Sequence, residues 1–231
     1  MNGNSLEWSH NIKALSKSYR TCAIDTINDY GLSIYTQKIT KPDQLTNWLD
    51  ELFTNLGLID NINLIGNSFG GWLTCQYALR FQNRLNKIIL LDPAAVVLPL
   101  KIQFYIRAIL MIALPGLFRK SFYYWLLADL AEFDKVNFNK FIDYSILFSK
   151  WFKKTTSAIP KVLKNEEWKS IKLPVLFLIG QNTRLNSANK VIQRLNKIAT
   201  FVNKEIIPNA GHGLSVVQAS IVNRKILEFL K

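Results

Sequence analysis

The chain has 231 residues, 49% of them apolar, and a formal net charge of +13 at pH 7, which suits one domain with a large core. Its longest apolar run, Ile106 to Phe118, carries Arg107 and is broken by Pro115-Gly116, so no span of about 20 apolar residues and no stable membrane insertion is expected; the polar start MNGNSLEWSH lacks a secretory leader, which points to a cytoplasmic protein. Two histidines, two distant cysteines and no lysine-bearing glycine loop argue against a metal or another cofactor; Cys22 and Cys75 in core-like patterns of a reducing compartment argue against a disulfide; and lysines scattered along the whole chain argue that the charge marks neither a membrane-surface nor a nucleic-acid partner.

In chain order, Asn2 to Lys17 places Trp8, Ile12 and Leu15 on one helical face. Tyr19 to Asp25, YRTCAID, reads as a strand with Cys22 in its core pattern, and the loop Thr26 to Ser33 hinges at Gly31. Pro42 opens a helix with Leu45, Leu49, Leu52 and Phe53 at helical spacing, which ends at Gly57. Ile62, Leu64 and Ile65 form a short buried strand, and a helix pattern follows through Leu73, Cys75, Tyr77 and Leu79. Lys87 to Asp92, KIILLD, is another buried strand.

A helical insert occupies about 99 to 170 and is dense in aromatics, from Phe104 to Phe152. Those rings serve as the insert's own core and, on one side, as walls for an apolar pocket. After Pro174 the alternation resumes with a strand at Val175 to Ile179, a helix at Ser187 to Ile198 and a strand at Phe201 to Ile207. The loop Pro208 to Gly213 then leads into a final helix ending near Leu230. Alternating strands and helices imply the α/β class, with a mostly parallel doubly wound sheet built from 1–98 and 171–231 and a helical cap inserted at 99–170.

Between the strand at Ile62 and the helix at Leu73 lies Gly66-Asn67-Ser68-Phe69-Gly70-Gly71. A serine on a tight strand-to-helix turn needs small neighbours two residues away on each side, a need met by Gly66 and Gly70. This turn exposes the Ser68 hydroxyl at the carboxyl edge of the sheet, beside a helix N-terminus where the Phe69 N–H can stabilise an oxyanion. His212, in a glycine-flanked loop after the last strand, lies at the same edge. An imidazole there can take the Ser68 proton and return it to a leaving group.

With Ser68 in GNSFGG and His212 in NAGHG, the chain resembles the α/β-hydrolase superfamily, and most closely its capped bacterial carboxylesterase-like members. Asp25, Gly31 and Ser33 resemble that superfamily's loop after strand four. The resemblance implies acyl transfer from a small or medium carboxylic ester to Ser68 and then to water. It also implies an acid after strand seven, but that position is Thr183, and no Asp or Glu occurs from Trp168 to Lys204. Some members place the acid after strand six, where this chain has Asp92, so Asp92 is the expected partner of His212. Asn182 or Thr183 holding the imidazole by a neutral hydrogen bond is the alternative.

The family also has three strands before YRTCAID, with a second oxyanion donor at the end of the third. GNSLEW resembles the tail of that loop, so the sequence reads as a fragment or as a decayed enzyme. In the family the third strand lies between strands four and five. Its absence would leave two strand edges unpaired, at about 1–3 kcal/mol for each unmet buried group. Three rival functions stand beside the esterase: a non-catalytic binding protein that keeps the pocket, an acyltransferase with the same nucleophile, and a peripheral membrane or nucleic-acid binder resting on the +13 charge. The expected partner is a small-molecule ester; the oligomeric state is not legible.

Overall fold

The computed structural model describes residues 4–27, 29, 31, 33–34, 39–151 and 158–231. The expected helix start at Asn2 and the aromatic Phe152 lie outside them. Four strands, β1 (Ile62–Asn67), β2 (Leu85–Leu91), β3 (Val175–Gly180) and β4 (Asn203–Ile207), form one sheet in the order β1-β2-β3-β4. Every pairing is parallel. Parallel neighbours require crossovers, and the helices that make them cover both faces, which is why β2 and β3 read as continuous apolar runs.

Alternation along the strands divides the core into two layers. Ile88 and Leu90, with Val175, Phe177 and Ile179, face α2 (Pro42–Asn55), α3 (Phe69–Phe81) and α9 (Ala188–Ile198). Ile89 and Leu91, with Leu176 and Leu178, face α1 (Ser9–Leu15) and α11 (Ala219–Leu230). Each such side chain contributes about 1.5–3 kcal/mol of burial. Asn11 ties the second layer together: its amide donates to the Asn223 side chain at 2.8 Å and to the Ser215 carbonyl at 3.0 Å. A buried polar residue on α1 was not legible in the Trp8, Ile12, Leu15 stripe.

Between β2 and β3 the chain forms α4 (Ile102–Ala113), α5 (Pro115–Leu126), α6 (Ala128–Phe133), α7 (Lys135–Trp151) and α8 (Asn165–Ser170). Buried Phe122, Tyr123, Phe138 and Ile142 make a separate core for this insert. Its rings meet edge to face, as in Tyr123–Phe141 at 5.5 Å and Tyr124–Phe138 at 5.1 Å. The short α10 (Leu214–Val217) follows the loop after β4.

One expected strand is absent. Tyr19 to Asp25 has no ladder partner and is irregular, and Cys22 is exposed rather than in a core; Cys22 and Cys75 are both free. A strand is stable only when its backbone groups are paired, and among the described residues the outer edge of β1 has no partner either. Tyr19 to Ile24 and β1 instead both line one cavity. Gly31 packs on the Asp25 carboxyl, whose Oδ1 accepts the Ser5 N–H at 2.7 Å, and the Ser33 hydroxyl donates to the Asp25 carbonyl at 2.5 Å. The three residues expected to form this loop therefore meet, although the strand before them does not form.

Candidate active site

Ser68 sits on the turn between β1 and α3 with φ 53° and ψ −116°, a left-handed conformation that costs a non-glycine residue about 1–3 kcal/mol. Backbone bonds hold it there: the Ser68 N–H donates to Leu91 O at 2.9 Å, and the Ser68 carbonyl accepts from Ala94 N at 3.0 Å and Trp72 N at 3.2 Å. A Cβ on Gly66 would land on the Gly70 carbonyl, so that glycine is obligatory. Gly70 is not the second crowded position, because a Cβ there meets open space. The crowded one is Gly71, where it would press on Pro93 Cβ at 2.7 Å. The arm that closes on the turn is thus the β2 exit, which spacing alone does not reveal.

His212 is delivered by the loop after β4. Gly180, at the end of β3, lets that loop approach so closely that a Cβ would collide with the Gly211 carbonyl. The Gln181 N–H donates to Ile207 O at 3.0 Å and the Asn182 N–H to Ala210 O at 2.8 Å, which fixes the loop against the sheet edge. His212 Nε2 lies 2.9 Å from Ser68 Oγ, and Nδ1 lies 2.6 Å from Asp92 Oδ2. Asp92 follows β2, its N–H donating to Leu178 O at 2.8 Å, with φ 38°. Its side chain is 2% exposed.

Thr183 does not hold the imidazole. Its hydroxyl donates to Asp92 Oδ2 at 2.6 Å, the same oxygen that faces His212 Nδ1. The position that lacks an acid therefore supplies a donor to the acid on the neighbouring strand end. A buried carboxylate is costly unless hydrogen-bonded, and this one has two partners on one oxygen. With Nδ1–H on Asp92, Nε2 presents its lone pair to Ser68, so the imidazole can accept the hydroxyl proton. The Phe69 N–H belongs to the first turn of α3, whose donors a helix leaves unpaired.

Asp129 on α6 is a residue that sequence reasoning missed. Its Oδ2 accepts the Gly211 N–H at 2.7 Å and the Gly213 N–H at 3.0 Å, one on each side of His212. Nothing in LLADLAEF marks that carboxylate as the anchor of a loop 82 residues away. The insert is thereby fastened to the histidine loop.

Ser68 and His212 open into a cavity of about 1380 Å³, also lined by Phe138, Phe141, Tyr144 and Phe148 of the insert. It continues along the unpaired edge of β1. Glu7 lines it too, and although its side chain is solvent-accessible, the surrounding protein holds its carboxyl above the ordinary 4.5. No group of histidine, cysteine, aspartate and glutamate suited to a metal ion occurs among the described residues.

A family model described as the alpha/beta hydrolase fold matches residues 1–218. The uncharacterized carboxylesterase nap of Bacillus subtilis is 30% identical over 229 residues, covering 98% of this chain and 75% of that protein. Carboxylesterase YbfK of the same organism is 27% identical over 234 residues, with 98% and 76% covered. The crystal structure of naproxen esterase from Bacillus subtilis superposes with a TM-score of 0.87 at 29% identity, over 99% of this chain and 80% of that one.

Proposed function

The chain belongs to the α/β-hydrolase fold family, and on that premise we propose that it is a carboxylesterase that cleaves a small or medium ester through an acyl-Ser68 intermediate. The observation that carries this reading is the line from Ser68 Oγ to His212 Nε2 at 2.9 Å and from His212 Nδ1 to Asp92 Oδ2 at 2.6 Å. In the first step His212 takes the Ser68 proton while Oγ attacks the ester carbonyl carbon. The carbonyl oxygen becomes an oxyanion and accepts the Phe69 N–H. His212 then gives its proton to the departing alkoxide, which leaves as the alcohol. Water repeats the sequence on the acyl-enzyme and frees the acid.

In this scheme Asp92 holds the reactive tautomer and stabilises the imidazolium formed in each step. Thr183, donating to the same carboxylate, keeps it aligned. Residues 99–170 act as the cap, and the rings of α7 receive the apolar acyl or aryl part. The buried Asp92 beside His212 weakens one of the two supports of the non-catalytic reading, the threonine at the acid position, and leaves the other, the missing strands, as it was.

Labelling by a fluorophosphonate probe tests the assignment. Ser68→Ala is expected to abolish labelling, and Asp92→Asn to slow it sharply. Undiminished labelling of folded Ser68→Ala would place the nucleophile elsewhere.

A further inference from the structure

Helix α4 is apolar on two sides. Its inner side places Phe104, Ala108 and Met111 against the core of the insert. Its outer side carries Ile102, Ile106, Ile109 and Ile112 at spacings of four, three and three, so they share one face, and Leu114 and Leu117 continue the strip to the start of α5. These six side chains are between 48% and 75% exposed. Single exposed aliphatic residues are ordinary on a protein surface, but a continuous strip along two consecutive helices marks a surface that something covers.

The charge along the chain through the strip has one sign. From Pro93 to Ala128 the sequence contains Lys101, Arg107, Arg119 and Lys120, and no aspartate or glutamate. Arg107 lies over the Trp125 ring at 5.1 Å and Lys120 over the Tyr124 ring at 5.9 Å, so each cation sits on an aromatic face beside apolar surface. Such placing suits the boundary between headgroups and acyl chains. A second copy would bring a segment with the same four cations and no carboxylate, which disfavours self-association.

We propose that the outer face of α4, with its junction to α5, docks reversibly and in plane on an anionic lipid bilayer. An apolar helix face flanked by basic residues binds in this way, by immersing its aliphatic strip at the headgroup boundary while lysine and arginine meet lipid phosphates. Docking differs from spanning: no helix among the described residues is long and apolar enough to cross a membrane. The proposal is independent of the esterase assignment, since it rests on residues outside the Ser68 site.

Co-sedimentation with vesicles of phosphatidylglycerol mixed with phosphatidylcholine, against phosphatidylcholine alone, tests it. Binding is expected to the anionic vesicles and to weaken as salt is raised. The double substitution Ile106→Asp with Ile109→Asp, on exposed positions that leave the fold intact, is expected to lower vesicle partitioning at least about tenfold. Thermal melting and fluorophosphonate labelling of that variant should match the parent. Absence of binding by the folded parent would overturn the proposal. So would equal binding by the double variant, which would make the attraction one of net charge alone. A concentration-dependent dimer dissolved by the same substitutions, in place of vesicle binding, would overturn it in favour of self-association.

Discussion

Replacing Asp92 by Asn isolates the electrostatic part of the proposed triad, because little else changes. The side chain keeps its shape, and asparagine tolerates the left-handed region that φ 38° requires. The Thr183 hydroxyl, now 2.6 Å from a carboxylate oxygen, can still donate to the amide oxygen. His212 Nδ1 faces that same oxygen, so with the amide oxygen there the Nδ1–H bond also survives, but no negative charge stabilises an imidazolium. With the NH2 group turned to that place instead, Nδ1 meets a donor, and the tautomer with hydrogen on Nε2, which cannot accept the Ser68 proton, is favoured. A loss of about 10⁴ in kcat is expected, equivalent to about 5.5 kcal/mol of barrier. KM should change little, because Asp92 lies behind the imidazole and away from the cavity. The assay is steady-state hydrolysis of p-nitrophenyl butyrate, with circular dichroism and thermal melting to show that the variant is folded. A folded Asp92→Asn enzyme with kcat within about tenfold of the parent would refute the reasoning, since an orienting acid cannot be worth so little.

Three further outcomes are expected. Gly66→Ala should destabilise by about 3 kcal/mol or more in urea denaturation because its methyl meets the Gly70 carbonyl, whereas Gly70→Ala, facing open space on α3, should stay within about 1 kcal/mol. Asp129→Ala removes two charge-assisted bonds from the loop around His212 and is expected to lower kcat about 10- to 100-fold; Asp129→Asn, which keeps an acceptor oxygen, should lose less, as steady-state kinetics of the two variants will show. Glu7 has a raised carboxyl pKa in the fold, so its neutral form is favoured there: stability is full below 4.5 and declines as pH rises through the raised value. Glu7→Gln should flatten that decline in urea midpoints measured from about pH 4 to about pH 8.

Legibility in the sequence followed the range of the interactions. β2 and β3 were visible because strands buried on both faces carry apolar runs, and β1 because Ile62, Leu64 and Ile65 lead into a glycine turn. Ser68, His212 and Asp92 were visible because each is a polar residue interrupting such a run or closing a glycine turn at the same sheet edge. Tyr19 to Asp25 misled because its local propensity is that of a strand, whereas strand formation depends on a partner that propensity does not report. Asp129 and the Thr183 contact were hidden for a related reason. Side chains 82 and 91 residues apart leave no periodic trace, and a threonine in an acid's place reads as a loss until the neighbouring strand end is seen. Gly70 and Gly71 were exchanged in importance because the crowding comes from Pro93, not from within the turn.

The bare edge of β1 has a consequence for how the protein behaves in concentrated solution. Its six residues, INLIGN, contain no proline, lysine or other charge, the devices with which sheet proteins blunt an edge. Once the cavity it lines is open, this edge offers a template on which an extended segment of another molecule can add as a further strand, satisfying backbone groups that have no ladder partner among the described residues. Precipitation should therefore begin from refolding intermediates, in which the insert has not yet closed over the cavity, and low ionic strength should delay it by leaving the +13 self-repulsion unscreened.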